Sequence, residues 1–120
     1  MDQTNYRVTY IRIGTSDLDQ AAHFYANIMG LSTISRNKDE GYILYSLSGI
    51  TLIVEKTEAN DDLQPKKYLG ISLKVKDIFR TYEDFSDLGV QFTHPPEKQF
   101  WGGYLTEFCD PDDNVWTLLG

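Results

Sequence analysis

One stretch of this chain occurs twice, sixty positions apart, and this repetition restricts the possible folds more than any other feature. Residues Tyr10–Leu31 read YIRIGTSDLDQAAHFYANIMGL, and residues Gly70–Val90 read GISLKVKDIFRTYEDFSDLGV. In each copy an Asp precedes a helical pattern and a Gly follows it. Asp accepts hydrogen bonds from the first free N–H groups of a helix, and Gly readily adopts the left-handed conformation that ends one. The chain is therefore predicted to use one strand-and-helix unit twice.

The residues around the first copy predict the order β-α-β-β-β. Within Tyr10–Thr15, Ile11 and Ile13 fall on one face of a strand and more polar side chains fall on the other. An apolar stripe at helical spacing follows Asp17, and Gly30 is predicted to end this helix. Three further strands, separated by short polar turns, are predicted at Leu31–Arg36, Gly41–Leu47 and Ile50–Glu55.

The second copy is predicted to repeat this order. A helix is expected to begin after Asp77 and to end at Gly89. Pro95 and Pro96 lack the N–H group that a central strand requires, so Pro95–Trp101 is predicted to be a loop. The apolar stripe of the helix is predicted to consist of Ile78, Tyr82, Phe85 and Leu88. The predicted strands are Tyr68–Val75, Val90–Thr93, Gly102–Phe108 and Val115–Leu119.

The length of 120 residues predicts a single domain, with a first module at residues 6–56, a polar linker at 57–67 and a second module at 68–120.

Acidic residues outnumber basic ones by 18 to 11, and the net charge of −7 disfavours nucleic acid and anionic membranes as partners. Cys109 is the only cysteine, which excludes an intramolecular disulfide. Without a signal peptide or an apolar segment of membrane-spanning length, a cytoplasmic location is expected.

Two groups of residues carry a family resemblance. The first is Ile-x-Ile-x-x-x-Asp-Leu at residues 11–18, followed by Phe24-Tyr25 and Gly30-Leu31. The second is the closing run from Gly102-Gly103 to Phe108-x-Asp110-Pro111-Asp112-x-Asn114. Together with the duplication they resemble the vicinal oxygen chelate superfamily, which holds glyoxalase I, bleomycin and fosfomycin resistance proteins and extradiol dioxygenases. The resemblance implies an α+β fold of two tandem β-α-β-β-β modules that form a curved mixed sheet around a ligand cleft, with the helices outside.

The resemblance also allows a test for the family's metal site. Metal-using members hold a divalent ion with His, Gln or Glu side chains on the first and last strands of each module. The matching positions here carry Tyr10, Gly70 and Thr117, and the register of the fourth strand leaves either Leu52 or Glu55 for the remaining position. A divalent ion needs three or more protein donors, so the chain resembles a metal-free, bleomycin-resistance-like member. No metal, cofactor or catalytic residue is predicted.

Without the metal, the resemblance implies binding of a small molecule, and several aromatic residues around Gly102 favour an aromatic or drug-like ligand. Because bleomycin resistance proteins are homodimers that sequester a drug, the resemblance implies a homodimer and possible resistance by sequestration. Arg12 is expected to face an anionic group of the ligand. The full set of predicted ligand contacts is Tyr10, Arg12, Glu55, Phe100, Trp101, Tyr104 and Thr117.

Two other functions remain open on the sequence alone. The first is an enzyme of the same superfamily, either a lyase, isomerase or dioxygenase with non-standard metal ligands or a metal-free isomerase that uses Glu55 as its base. The second is a non-catalytic regulatory or interaction protein whose cleft is vestigial.

Overall fold

Each copy of the repeat builds its own four-stranded sheet. The computed structural model describes residues 5–58, 63–65 and 67–120, and residues 59–62 and 66 of the predicted linker lie outside this part of the chain. The chain divides into two compact units, Met1–Gln64 and Pro65–Gly120, and each sheet lies within one unit. The prediction of an α+β fold with two tandem β-α-β-β-β modules is confirmed. Among the described residues, no helix has the length and apolar character needed to cross a bilayer.

The first unit pairs its first strand with its last. Its strand order is β1-β4-β3-β2, in which β1 and β4 are parallel and the other pairs are antiparallel. Helix α1 (Leu18–Ala22) continues directly as a π-helical segment, His23–Ile28. The four strands are β1 (Tyr10–Thr15), β2 (Ser32–Asn37), β3 (Tyr42–Leu47) and β4 (Ile50–Lys56).

Local interactions define both ends of the first helical region. Asp17 Oδ1 accepts hydrogen bonds from the N–H groups of Asp19 (2.9 Å) and Gln20 (3.2 Å), as predicted for the residue that caps a helix. At the other end the Met29 N–H donates to the Phe24 carbonyl, five residues back, at 2.9 Å. Gly30 follows with φ of 75°, a conformation that other residues rarely adopt. The predicted helix is therefore present, with a wider last turn.

The two faces of the first sheet differ as the alternation of residues predicts. One face is covered by the helix and its central side chains are buried, whereas the opposite face carries partly exposed side chains. We call this second surface the first open face. It includes Tyr10 and Arg12 of β1, Tyr42 and Leu44 of β3, and Ile53 and Glu55 of β4. The helix-covered core contains Ile13, Ala21, Phe24, Tyr25, Ile43, Tyr45, Leu52 and Val54.

The second unit repeats the arrangement. Its strand order is β5-β8-β7-β6, with β5 and β8 parallel. Helix α2 (Ile78–Asp87) begins after Asp77, whose Oδ1 accepts a hydrogen bond from the Arg80 N–H at 3.0 Å. Leu88, which was predicted to belong to its inner stripe, is 58% exposed, so that assignment is wrong. The four strands are β5 (Tyr68–Lys74), β6 (Gln91–Lys98), β7 (Tyr104–Cys109) and β8 (Val115–Leu119).

The prediction that Pro95–Trp101 forms a loop is wrong for its first half, because β6 continues through both prolines to Lys98. β6 is an edge strand, so one side of its backbone needs no partner. Its pairing with β7 also shifts register between His94 and Glu97, and the two prolines lie within this irregularity. A proline, which has no backbone N–H group, is tolerated at a strand position where the ladder requires no donor.

The turn between β7 and β8 is held by a buried carboxylate. Asp110 Oδ1 accepts hydrogen bonds from the N–H groups of Asp112 and Asn114, each at 2.9 Å. Its other oxygen, Oδ2, accepts one from the Asn114 side-chain amide, also at 2.9 Å. The closing Asp-Pro-Asp-x-Asn sequence therefore encodes a complete hydrogen-bonded turn.

We expect Asp110→Asn to lower the free energy of unfolding by about 1–3 kcal/mol, because one amide N–H group of the new side chain would face donors in a buried site. Chemical denaturation monitored by tryptophan fluorescence measures this change. Asp113→Asn is the matched control, since Asp113 is exposed and asparagine tolerates its φ of 63°. Equal stability of the two variants would contradict this account of the turn.

The Tyr45 hydroxyl is buried in the first unit without a hydrogen-bond partner among the described residues, and burial raises the pKa of this phenol. We expect Tyr45→Phe to leave the free energy of unfolding within about 0.5 kcal/mol of wild type or to increase it, because it removes an unpaired polar atom. Tyr45→Ala should instead cost about 3–5 kcal/mol through the cavity that it leaves. A large loss in Tyr45→Phe would show that the hydroxyl has a partner.

Candidate functional site

The first open face contains a pocket of about 300 Å³. Leu44 and Ile53 lie opposite each other on the adjacent strands β3 and β4 and give it an apolar base. Tyr10 comes from β1 on one side of β4, and Tyr42 comes from β3 on the other side. The fifth lining residue is Glu55, which pairs with Tyr42 in the antiparallel register. The pocket thus combines two phenol rings, two aliphatic side chains and one carboxylate.

Glu55 forms an ion pair with Arg12 at this pocket. The Arg12 Nε and Nη2 atoms donate to the two carboxylate oxygens at 2.8 and 2.9 Å, which is the two-point geometry typical of arginine and a carboxylate. The hydrogen bonds to Glu55, followed by its negative charge, raise the pKa of Arg12 above its already high ordinary value. The sequence predicted that Arg12 would face an anionic ligand, but in this structure its guanidinium faces Glu55 instead.

The predicted contacts Tyr10, Arg12 and Glu55 therefore come together on the first open face. Sequence reasoning did not include Tyr42, Leu44 and Ile53 in the site. The alternation of residues along β3 and β4 could have identified these side chains, because residues two positions apart on a strand share a face. Only the register of β3 against β4 shows that Tyr42 lies beside Glu55.

In the second unit, Thr117 has a structural partner. Its side chain is 3% exposed, and its Oγ1 atom shares a hydrogen bond of 3.0 Å with the hydroxyl of Tyr68. On the neighbouring strand Glu107 pairs with Thr117, and the Glu107 carboxylate accepts a hydrogen bond from the Thr93 hydroxyl at 3.0 Å. Two pairs of polar side chains on this face, Thr117 with Tyr68 and Glu107 with Thr93, are therefore already hydrogen-bonded.

The three aromatic residues predicted to form a clamp occupy different environments. Phe100 is 98% exposed and Trp101 is 54% exposed, in a tight turn where their rings lie 5.2 Å apart at nearly right angles. Tyr104 instead packs on helix α2, with its ring 4.9 Å from that of Phe79. Because Thr117 pairs with Glu107, alternation along β7 places Tyr104 on the opposite face from Thr117. The predicted cluster of all three rings is not formed.

The strand pairing identifies the fourth position of the family's metal site. Ser72 pairs with Thr117 in the second unit, and Arg12, sixty positions before Ser72, pairs with Ile53 in the first. The counterpart of Thr117 is therefore Ile53, and neither Leu52 nor Glu55 occupies that position. Leu52 is fully buried on the helix-covered face.

The donor chemistry at these positions does not fit the family metal. Tyr10, Gly70, Ile53 and Thr117 provide no carboxylate and no imidazole, and the Thr117 hydroxyl is bonded to Tyr68. Within the described part of the chain, no group of three or more His, Cys, Asp or Glu side chains is arranged to hold a metal ion. These positions therefore do not form the metal site of the family.

Comparisons with known proteins agree on one family. Residues 7–118 match the family model described as Glyoxalase/Bleomycin resistance protein/Dioxygenase superfamily. The uncharacterized protein YraH of Bacillus subtilis (strain 168) is 26% identical over 120 residues, which cover 91% of this chain and 94% of YraH. A solved superfamily member from Sphaerobacter thermophilus DSM 20745 is 32% identical, with a TM-score of 0.79 and coverage of 95% and 96%. Lactoylglutathione lyase from Agrobacterium tumefaciens shares the fold at 16% identity, with a TM-score of 0.78 and coverage of 97% and 94%.

We expect the bond between Tyr68 and Thr117 to contribute to stability. Thr117→Val and Tyr68→Phe each remove it, and the double variant should show a coupling energy of about 0.5–1.5 kcal/mol in a double-mutant cycle of unfolding. A coupling energy near zero would mean that the hydrogen bond between Thr117 and Tyr68 does not contribute to stability.

Proposed function

Because the chain belongs to the glyoxalase/bleomycin resistance protein/dioxygenase superfamily, we propose that it is a small-molecule binding protein that uses the pocket on its first open face. The observation that carries this proposal is the pocket itself, about 300 Å³ in volume and lined by aromatic, aliphatic and carboxylate groups. This volume lies at the lower end of the range for small-molecule sites, and the lining has their usual apolar character with a polar group for orientation.

The lining favours a compact aromatic ligand. Tyr10 and Tyr42 offer ring faces or edges to an aromatic group, and each such contact contributes about 0.5–1.5 kcal/mol beyond area burial. A ligand of about twelve non-hydrogen atoms, at about 0.4 kcal/mol for each atom, would bind with a dissociation constant of roughly 0.3 mM. Larger drug-like molecules that extend beyond the pocket would bind more tightly.

Binding without chemistry has more support than catalysis. Glu55 is the carboxylate among the five described lining residues, and the partner that the structure gives it is Arg12, which stays protonated and cannot relay a proton. The positions of the family metal also lack suitable donors. Sequestration of a toxic aromatic compound is the physiological role that such a binder would serve. The homodimer and the cytoplasmic location stay predictions, as does the part of Phe100, Trp101 and Thr117 in binding.

Tryptophol, a neutral aromatic alcohol with twelve non-hydrogen atoms, is a suitable probe of this proposal. In a titration followed by ¹⁵N–¹H correlation spectra, we expect it to shift the amide signals of β1, β3 and β4. Ile53→Trp would place an indole in the pocket and should weaken tryptophol binding by about tenfold or more, which corresponds to about 1.4 kcal/mol.

Leu88→Trp is the matched control, because Leu88 is exposed at the end of α2 and the substitution adds the same indole at a residue that does not line the pocket. It should bind tryptophol as wild type does. Absence of shifts in wild-type protein at millimolar tryptophol, or equal binding by Ile53→Trp and wild type, would overturn the proposal. Trp101→Ala in the same titration tests the exposed rings of the second unit.

A further inference from the structure

The charged side chain that lines the pocket is a carboxylate, whose charge Arg12 balances at a distance of 2.8 Å in this structure. Glu55 is the charged residue among the five described lining residues, and Arg12 is not one of the five. The ring faces of Tyr10 and Tyr42 also attract positive charge, because an aromatic ring is negative over its face. The protein as a whole carries a net charge of −7, which raises the local concentration of cations and repels anions. These features favour a cationic ligand, the opposite of the anionic group expected from Arg12.

The two halves of the ion pair differ in how easily they can separate. The Glu55 side chain is 27% exposed and the Arg12 side chain is 55% exposed, so the carboxylate is the more sheltered partner. Arginine has a long, flexible stem, and its guanidinium can move into water while the carboxylate stays on the sheet. The two-point geometry makes this pair stronger than a single-contact pair, but the pair is partly exposed, and a ligand amine that binds the same carboxylate offsets the loss of Arg12.

We propose that the pocket selects an aromatic ligand with a positively charged amine, that Glu55 is the counter-ion of this amine, and that Arg12 is an internal competitor that sets the affinity. This inference rests on the proposed function and specifies the chemical class of its ligand. The amine donates hydrogen bonds to the Glu55 carboxylate, the aromatic group contacts the tyrosine rings, and the Arg12 guanidinium turns to solvent. No covalent bond is made or broken.

Three probes of similar size and shape test the charge preference: tryptamine, which is cationic at neutral pH, tryptophol, which is neutral, and indoleacetate, which is anionic. In wild-type protein we expect tryptamine to bind roughly three- to tenfold more tightly than tryptophol. Indoleacetate should bind more weakly than either, because its carboxylate would face Glu55. The titration of amide signals in β1, β3 and β4 gives all three affinities.

Two substitutions in the ion pair should act in opposite directions. Glu55→Gln should lower tryptamine affinity more than tryptophol affinity and so remove the preference for the amine, because the counter-ion is lost and the Arg12 guanidinium is left without its carboxylate partner. Arg12→Gln should increase tryptamine affinity, since the competitor for Glu55 is removed. Asp84→Asn is the control, because it makes the same charge change as Glu55→Gln in an exposed ion pair with Arg80 on α2, and neither residue lines the pocket. It should keep the wild-type order of the three probes.

The outcomes distinguish a failure of the amine preference from a failure of small-molecule binding itself. Equal binding of tryptamine and tryptophol by wild-type protein would overturn the amine preference while the binding pocket stands. If neither compound binds, the proposed function fails and this inference fails with it. If Glu55→Gln and Arg12→Gln both weaken tryptamine binding, the ion pair organises the pocket as a unit and Arg12 is not a competitor.

Discussion

The parallel pairing of the first and last strands is the constraint on which each unit depends. It places β4 in the interior of the first sheet, between β1 and β3, and it places β8 between β5 and β7 in the second. Alternation then sends Leu52 and Val54, or Trp116 and Leu118, to the helix-covered side, where they are buried. The residues between them must face the other way. The burial of one face therefore determines which side chains are available for binding on the opposite face.

The two units use this scaffold differently. In the first, the open face carries a pocket whose carboxylate is held by an ion pair at the surface. In the second, Thr117 is bonded to Tyr68 and Glu107 to Thr93, so these polar groups of that face already have partners. The position that holds Ile53 in one unit holds a buried threonine in the other. The duplicated fold thus carries a pocket on the open face of the first unit and two hydrogen-bonded polar pairs on the corresponding face of the second.

The ion pair between Arg12 and Glu55 is a tertiary contact within the first unit. Its members lie 43 positions apart in the chain, and the pairing of β1 with β4 brings them together. Gly14, which pairs with Glu55 across these strands, is buried, and a Cβ atom there would lie 2.5 Å from the Leu63 carbonyl oxygen. Glycine at this position allows the chain after β4 to pass close to β1.

The sequence by itself determined the repeated β-α-β-β-β order, the aspartates that begin both helices and the Asp110 turn, because these follow from hydrogen bonds and alternation among near neighbours. It also identified Tyr10, Arg12 and Glu55 as residues of interest. Tertiary structure decided how these residues are arranged, since the pairing of Arg12 with Glu55 and the choice of Ile53 over Leu52 depend on strand register. It also decided that Tyr104 packs on α2 and that Pro95 lies in an edge strand. Register and strand position are set by burial across the whole sheet, and a local pattern does not contain them.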